Sequence, residues 1–490
     1  MTGRLGSAPT IVLFRRDLRL SDNAALAAAV DLGVPLLALF VLDEESANTR
    51  PLGAASRWWL HHSLSSLAQR LQDSGAKLLI ARGRTRDLVA KAIAASGANR
   101  VFWNRRYEPA AAAVDSVLKA DVREAGLIAQ SFDGALLHEP SRLKTGSGGY
   151  YKVYTPFWNA LNSVGDLRDP IDAPKSINGW EGKFDGLPLD HLDLLPKAPN
   201  WAEGLADRWT PGEAGALQRL QAFENEDLAD YENQRDIPSV QGTSRLSAYL
   251  AFGEITPVQI FAALRRSHKA GAAKFRKEIG WREFSYHLLF HNPDLHEQSF
   301  RPEFEGFTWR RDRQASKAWQ TGMTGYPIVD AGMRELWQTG WMHNRVRMIT
   351  ASFLIKDLMI DWREGERWFW DTLVDADPAN NAASWQWIAG SGADAAPFFR
   401  IFNPVLQGEK FDPQGDYVRR YVPEIAALPD RYIHRPWEAP ATLLTNAKIE
   451  LGKTYPKPIV DHRAARDRAL ILYQSMKDKA KVSSHEEAAS

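Results

Sequence analysis

The segment Trp341-Met-His-Asn-Arg-Val-Arg-Met348 sets an amide, two guanidinium groups and a thioether within two helical turns. Asn344 and Met348 are four apart and share one stripe of such a helix, with Arg347 one position over. Composition alone would equally describe a basic amphipathic helix. The neighbourhood favours a pocket. Asp375-Ala-Asp-Pro-Ala-Asn-Asn-Ala-Ala-Ser-Trp385-Gln-Trp387 is a dense polar stretch in an otherwise apolar region, and buried carboxylates persist only when paired or hydrogen-bonded. Arg347 is an available partner for Asp375. Upstream, Gly242-Thr-Ser-Arg-Leu-Ser247 offers hydroxyls and backbone amides ahead of a helix, a chemistry suited to a phosphate or diphosphate. Ten of the chain's 18 tryptophans fall between residues 281 and 387, more than packing alone usually requires.

Other chemistries are excluded or unsupported. The chain has 0 cysteines, which removes disulfides, thiolate nucleophiles, Cys-ligated zinc and protein-held iron–sulfur clusters. His287 and His291 are spaced like metal ligands, but Leu, Leu and Phe separate them and nothing completes a site, so they read as core or boundary histidines and no metal is expected. Lys144-Thr-Gly-Ser-Gly-Gly149 lacks the Gly-Lys-Ser/Thr ending of a phosphate loop and reads as a plain turn. The 61 Lys and Arg balance 60 Asp and Glu, so contact with nucleic acid must come from a local patch. No apolar run approaches the roughly 18 residues of a membrane span. Met1 to Thr10 lacks the apolar segment of a secretory signal, so the expected compartment is the cytoplasm.

The elements that must position these groups follow from periodicity. At 490 residues, two or three domains are expected. Residues 1–133 alternate short β-rich runs (Ile11–Phe14, Pro35–Leu42, Lys77–Ala81, Arg100–Trp103, Leu127–Phe132) with helical patterns, which predicts a doubly wound parallel sheet. Ser21 or Asp22 is expected to cap the first helix and Ser56 the second. Residues 134–211 are rich in Gly, Pro and Asp and read as a long linker with no periodic segment beyond two turns. Residues 212–474 show helical spacing throughout, including Glu213–Tyr231 and Asn344–Trp362, and such a domain can enclose a large cofactor. Residues 475–490 are expected to fray. The fold class is therefore α/β plus all-α.

Taken in order, these motifs resemble the photolyase/cryptochrome family, most closely the bacterial photolyases that repair cyclobutane pyrimidine dimers. The similarity runs from Phe14-Arg-Arg-Asp-Leu-Arg19 through Gly242 to Ser247, Trp281-Arg-Glu-Phe284, Gly325-Tyr-Pro-Ile-Val-Asp330, Trp341 to Met348 and Asp361-Trp-Arg-Glu-Gly365. It continues through Asp375 to Trp387, Phe399-Arg-Ile-Phe-Asn-Pro404 and Gln407-Gly-Glu-Lys-Phe411. The resemblance implies FAD, active as FADH⁻, held in the helical domain. Tyr231 and Thr243, Ser244, Arg245, Leu246 and Ser247 would meet its diphosphate side. Asn344, Arg347, Asp375, Asp377 and Asn381 would line the isoalloxazine, with Glu278 and Arg282 also at the cofactor. Glu278, Asn344, Met348, Trp281 and Trp387 would form the lesion cavity. Arg235, Arg345 and Arg400 would clamp phosphates, and Trp385, Trp362 and Trp309 would relay electrons. Relatives acting on (6-4) photoproducts carry histidines where this chain has Asn344 and Met348, which disfavours that substrate.

The resemblance also implies an antenna pigment in the α/β domain. Arg106 and Ala251 stand where deazaflavin binders carry acidic and lysine side chains, and Ala110 and Ala111 leave the folate contacts of one subgroup unmatched; 5,10-methenyltetrahydrofolate held in the manner of the class III subgroup is expected, with Glu108 as a contact and 8-hydroxy-5-deazaflavin as the alternative. The implied partner is DNA whose dimer is flipped from the helix, met by a monomer associated with the nucleoid when bound. Two rivals remain: a cryptochrome-type blue-light receptor without repair activity, and a nucleotide-binding or electron-transfer flavoprotein. The second lacks a Gly-x-Gly-x-x-Gly turn after its first strand.

Overall fold

The computed structural model describes residues 8–165, 167–265, 267–395 and 397–489, with side chains through 480. It divides into two compact units, Met1–Ala229 with Ser244–Pro293 and Val374–Ala376, and Asp230–Thr243 with Asp294–Leu373 and Asp377–Ser490.

In the first unit, β1 (Thr10–Phe14), β2 (Leu36–Leu42), β3 (Leu78–Arg82), β4 (Arg100–Asn104) and β5 (Ile128–Phe132) alternate with α1 (Ala24–Val30), α2 (Ala54–Asp73), α3 (Thr85–Ser96) and α4 (Pro109–Glu124). The strands pair in parallel in the order β3-β2-β1-β4-β5. The order reverses at β1, as in a doubly wound sheet. β1 and β2 are buried along their whole length, because helices cover both faces. At the carboxyl ends of β1 and β4, Arg15 pairs with Asp115 at 3.0 Å, and Asn104 Nδ2 donates to Asp17 Oδ2 at 2.7 Å and Asn23 Oδ1 at 2.8 Å. Arg19 donates to the carbonyls of Asp22, Gly134 and Gly253 at 2.7–2.8 Å. The Phe14–Arg19 motif is thus a buried structural knot.

The caps differ from expectation. Asn23, whose side chain accepts from Leu26 N–H, caps α1. Asp22 instead takes the Thr256 hydroxyl at 2.5 Å, a long-range demand that local propensity does not encode. Gly53 precedes α2 without a side-chain bond, and Ser56 is buried inside that helix. The linker holds a further helix, α5 (Tyr154–Ser163), longer than two turns. Its buried Tyr154, Phe157 and Leu161 stabilise it by packing, which overrides weak local periodicity.

Glu254 in this unit is fully buried and accepts from Gly212 N–H at 2.7 Å, Trp59 Nε1–H at 3.1 Å and the Ser63 hydroxyl. Burial outweighs those donors and pushes its pKa up to about 8. The native state keeps a proton that the unfolded chain releases near pH 4.5, so this group's contribution to stability falls as pH rises from about 4.5 to about 8, by a few kcal/mol in all. Melting curves should therefore show Glu254→Gln gaining on the parent protein between pH 5 and pH 8. A constant difference in melting temperature across that range would show that Glu254 does not titrate there.

The first unit also contains α6 (Gly271–His291). The second unit is helical: α7 (Pro327–Thr339), α8 (Asn344–Ser352), α9 (Trp362–Thr372), α10 (Pro378–Ala389), α11 (Pro404–Phe411), α12 (Asp416–Tyr421) and α13 (His462–Ala489) frame it. The single helix expected from Asn344 to Trp362 is interrupted. α8 passes into a π-helical turn at Phe353–Asp357, Met359 takes φ of 58°, and Asp361 caps α9 by accepting from Arg363 N–H at 3.0 Å. Glu213–Tyr231 likewise breaks after Ala222 into a π-helical turn. The segment 475–490, expected to fray, is helical to Ala489. Its Ala and Lys residues favour helix, and Ala469 and Met476 bury against Phe304, Phe307 and Phe398. Among the described residues, no helix is long and apolar enough to cross a membrane.

Candidate lesion cavity and cofactor-facing residues

α8 carries Asn344, Arg345, Arg347 and Met348, and a buried network aims its first turn. His343 caps it, with Nδ1 accepting from Arg345 N–H at 3.2 Å. Burial lowers the His343 pKa to about 4, so the ring is neutral at ordinary pH and its Nδ1 stays an acceptor. Its backbone N–H donates to Glu335 Oε2 at 3.1 Å; the same carboxylate accepts from Tyr417 at 2.7 Å and Tyr421 at 3.3 Å. Arg347 Nε closes the loop onto the Met342 carbonyl at 2.7 Å. Asn344 is exposed at the head of this arrangement.

A cavity of about 460 Å³ opens beside α8 in the second unit. Met348 and Trp387 line it together with Arg345 and Arg400, so two expected lesion residues and two expected phosphate clamps share one concave site. Arg345 is held from three sides: Asp236 at 2.9 Å, the Phe411 ring at 4.4 Å and Met348 Sδ at 3.8 Å. Arg235 is not among the lining residues; it lies over the Tyr231 ring at 5.5 Å. Asn344 does not line this cavity either. Asp236, Gln407, Lys410, Phe402 and Phe411 do, and sequence reasoning gave none of them a role. The signal for two of them was present, since Lys410 and Phe411 pair a cation with an aromatic ring, 5.0 Å apart, as strand-binding surfaces do.

α10 starts where Asp377 Oδ1 accepts from Ala379 N–H at 3.0 Å and from Asn380 N–H and Nδ2–H at 2.8 Å, with Pro378 in the first turn. Asp377 therefore commits one oxygen to capping. One turn on, Asn381 Nδ2 donates to the Glu366 carbonyl at 3.0 Å and to Glu366 Oε1 at 2.8 Å. Both amide hydrogens are spent, which leaves Oδ1 as an acceptor. Further along, Trp385 is 2% exposed and meets Phe369 at 4.9 Å and Trp319 at 6.2 Å, both edge-on. Gly365 makes room for it, because a Cβ there would lie 2.1 Å from Trp385 Cη2. Trp362 is buried with its Nε1 unpartnered among the described residues, and Trp309 packs on Phe307 at 4.5 Å.

In the first unit, Glu278 and Trp281 stand on α6. Lys274 lies 3.9 Å from Glu278, and Trp281 stacks on Tyr154. Arg282 donates to the Ala135 carbonyl and Glu283, and its guanidinium covers the Tyr286 ring at 4.8 Å. His287 Nε2 accepts from Tyr151 N–H at 3.1 Å and His291 stacks on Tyr150 at 4.4 Å; among the described residues no cluster could hold a metal ion. The turn before Ser247 holds Arg245 at φ of 53°, with the Ser244 carbonyl accepting from Arg219 at 2.9 Å. Asp375 is buried at 7% exposure. Glu108 precedes α4 without capping it and lies 3.9 Å from Arg16, while Arg106 pairs with Asp115 at 2.7 Å.

Residues 10–175 match the pattern described as DNA photolyase, and residues 275–475 match the FAD binding domain of DNA photolyase. The chain is 55% identical to the deoxyribodipyrimidine photo-lyase of Agrobacterium fabrum over 96% of its own length and 99% of that protein. It is 40% identical to Cryptochrome-1 of Arabidopsis thaliana, covering 94% of this chain and 69% of that one. The crystal structure of a bacterial class III photolyase from Agrobacterium tumefaciens superposes with a TM-score of 0.94 at 54% identity, covering 98% and 99% of the two chains.

Proposed function

Because the chain belongs to the photolyase/cryptochrome family, we propose that it is a light-dependent DNA-repair enzyme that splits cyclobutane pyrimidine dimers. The observation that carries this reading is the cavity that puts Met348 and Trp387 beside Arg345 and Arg400. An apolar, polarizable wall next to paired cations suits two fused pyrimidines whose backbone remains anionic.

The donor set fits FAD. Asn381 presents an acceptor, Arg347 is a permanent cation whose Nε is fixed on the Met342 carbonyl, and the Ser244–Ser247 turn supplies hydroxyls and backbone amides. By the family resemblance its contacts would be Tyr231, Thr243, Ser244 to Ser247, Glu278, Arg282, Asn344, Arg347, Asp375, Asp377 and Asn381. Bound and reduced, FAD supplies an electron donor that light excites. Arg347 offsets its negative charge, which buried alone would cost several kcal/mol. Asn381 hydrogen-bonds without furnishing a labile proton.

The family resemblance gives base stacking to Trp281 and Trp387 and hydrogen bonding of base edges to Glu278 and Asn344. Arg235, Arg345 and Arg400 hold phosphates of a strand whose dimer has left the helix, at a cost of a few kcal/mol because the lesion is poorly stacked. Trp385, Trp362 and Trp309 carry electrons inward. The α/β part would hold 5,10-methenyltetrahydrofolate near Glu108, and the working form is a cytoplasmic monomer.

The test is illumination of flavin-loaded, reduced protein with an oligonucleotide bearing one thymine dimer. Blue or near-UV light should restore intact thymines and darkness should not. Dimers surviving illumination while the reduced flavin stays bound would overturn repair in favour of a cryptochrome-type receptor.

A further inference from the structure

α5 lies in the segment that joins the sheet to the helices, and it packs on the Trp281 side of α6. Tyr154 and Trp158 are four apart and share one face of α5. The Tyr154 ring stacks on Trp281 at 3.8 Å and 7°, and Trp158 continues the ladder behind it at 6.2 Å and 17°. The Tyr154 hydroxyl donates to the Lys277 carbonyl at 2.6 Å, which fixes the ring along α6. Phe284 meets Trp281 edge-on at 5.9 Å. Gly280 makes this approach possible, since a Cβ there would lie 2.4 Å from the Trp158 ring and 2.8 Å from the Tyr154 hydroxyl. Tyr154 is buried, whereas Trp281 stays partly exposed. Burial and the charge of Glu278 both raise the pKa of the Tyr154 hydroxyl, so it remains a donor at any ordinary pH.

We propose that Tyr154 is a positioning residue for lesion recognition: it covers one face of Trp281, locks the indole plane and leaves the other face for a base. This rests on the photolyase reading and deepens it. An unsupported indole would rotate about two side-chain torsions and would have to be ordered when the lesion arrives. A prestacked one meets the base without that loss.

The experiment measures affinity of the flavin-loaded protein for a thymine-dimer oligonucleotide and for its undamaged twin, in the parent protein, Tyr154→Leu and Tyr154→Phe. Leucine keeps apolar bulk without a ring; phenylalanine keeps the ring. An aromatic pair is worth about 0.5–1.5 kcal/mol, so Tyr154→Leu should bind the damaged strand up to about tenfold more weakly. Its flavin content and its affinity for the undamaged strand should be unchanged. Tyr154→Phe should restore lesion affinity, and Tyr154→Leu should add nothing in a Trp281→Ala background. Equal loss on both strands, unchanged lesion affinity in Tyr154→Leu, or no rescue by phenylalanine would each overturn the positioning role. A parent protein that fails to prefer the damaged strand would overturn the photolyase reading itself.

Discussion

Trp385→Phe is expected to abolish light-driven reduction of oxidised FAD while flavin binding and repair by chemically reduced protein persist. An indole gives up an electron far more readily than a benzene ring, and Trp385 is buried at 2% exposure within an apolar shell of Phe369, Trp319 and Gly365. The change also removes volume from a packed core, at about 1–3 kcal/mol, so thermal stability should fall without loss of the fold. Bleaching of the oxidised flavin band under blue light is the measurement. Bleaching at the parent rate would show that electrons enter by another route, with Trp319, 6.2 Å from Trp385, the first to examine.

The second large effect concerns Glu335, a carboxylate of α7 that does not line the cavity beside α8. Glu335→Ala leaves Tyr417, Tyr421 and His343 N–H without their buried acceptor. Each orphaned group costs about 1–3 kcal/mol, so the variant should lose about 3 kcal/mol or more of stability. The functional consequence follows from where the network ends. His343 caps α8, and α8 presents Asn344, Arg345 and Met348. Loosening the cap should weaken binding to damaged DNA beyond what Glu335→Gln does, since glutamine keeps an acceptor for one tyrosine. Denaturant melts and strand-binding curves of both variants provide the check. A Glu335→Ala protein as stable as the parent would show that water replaces the lost acceptor.

The alternation of β-rich runs with helical periods from residue 10 to 132 was enough to expect a doubly wound sheet, because that pattern has one good burial solution. The family resemblance was equally legible, since its motifs are runs of near neighbours along the chain. Local cap propensity misled at Asp22, whose carboxylate serves Thr256, 234 residues away. The breaks at Phe353–Asp357 and after Ala222 were invisible because nothing in those runs disfavours a helix; packing dictates the interruption.

The tertiary structure alone decided which chemistry meets. Asp236 and Arg345 are 2.9 Å apart, with Phe411 against the same guanidinium, although 175 residues separate 236 from 411. Tyr154, in a segment that reads as connector, becomes the ring beneath Trp281. Side-chain type and helical period are properties of near neighbours along the chain and can be read one window at a time. Contacts across hundreds of residues are selected by which apolar faces bury together, and no window contains that choice.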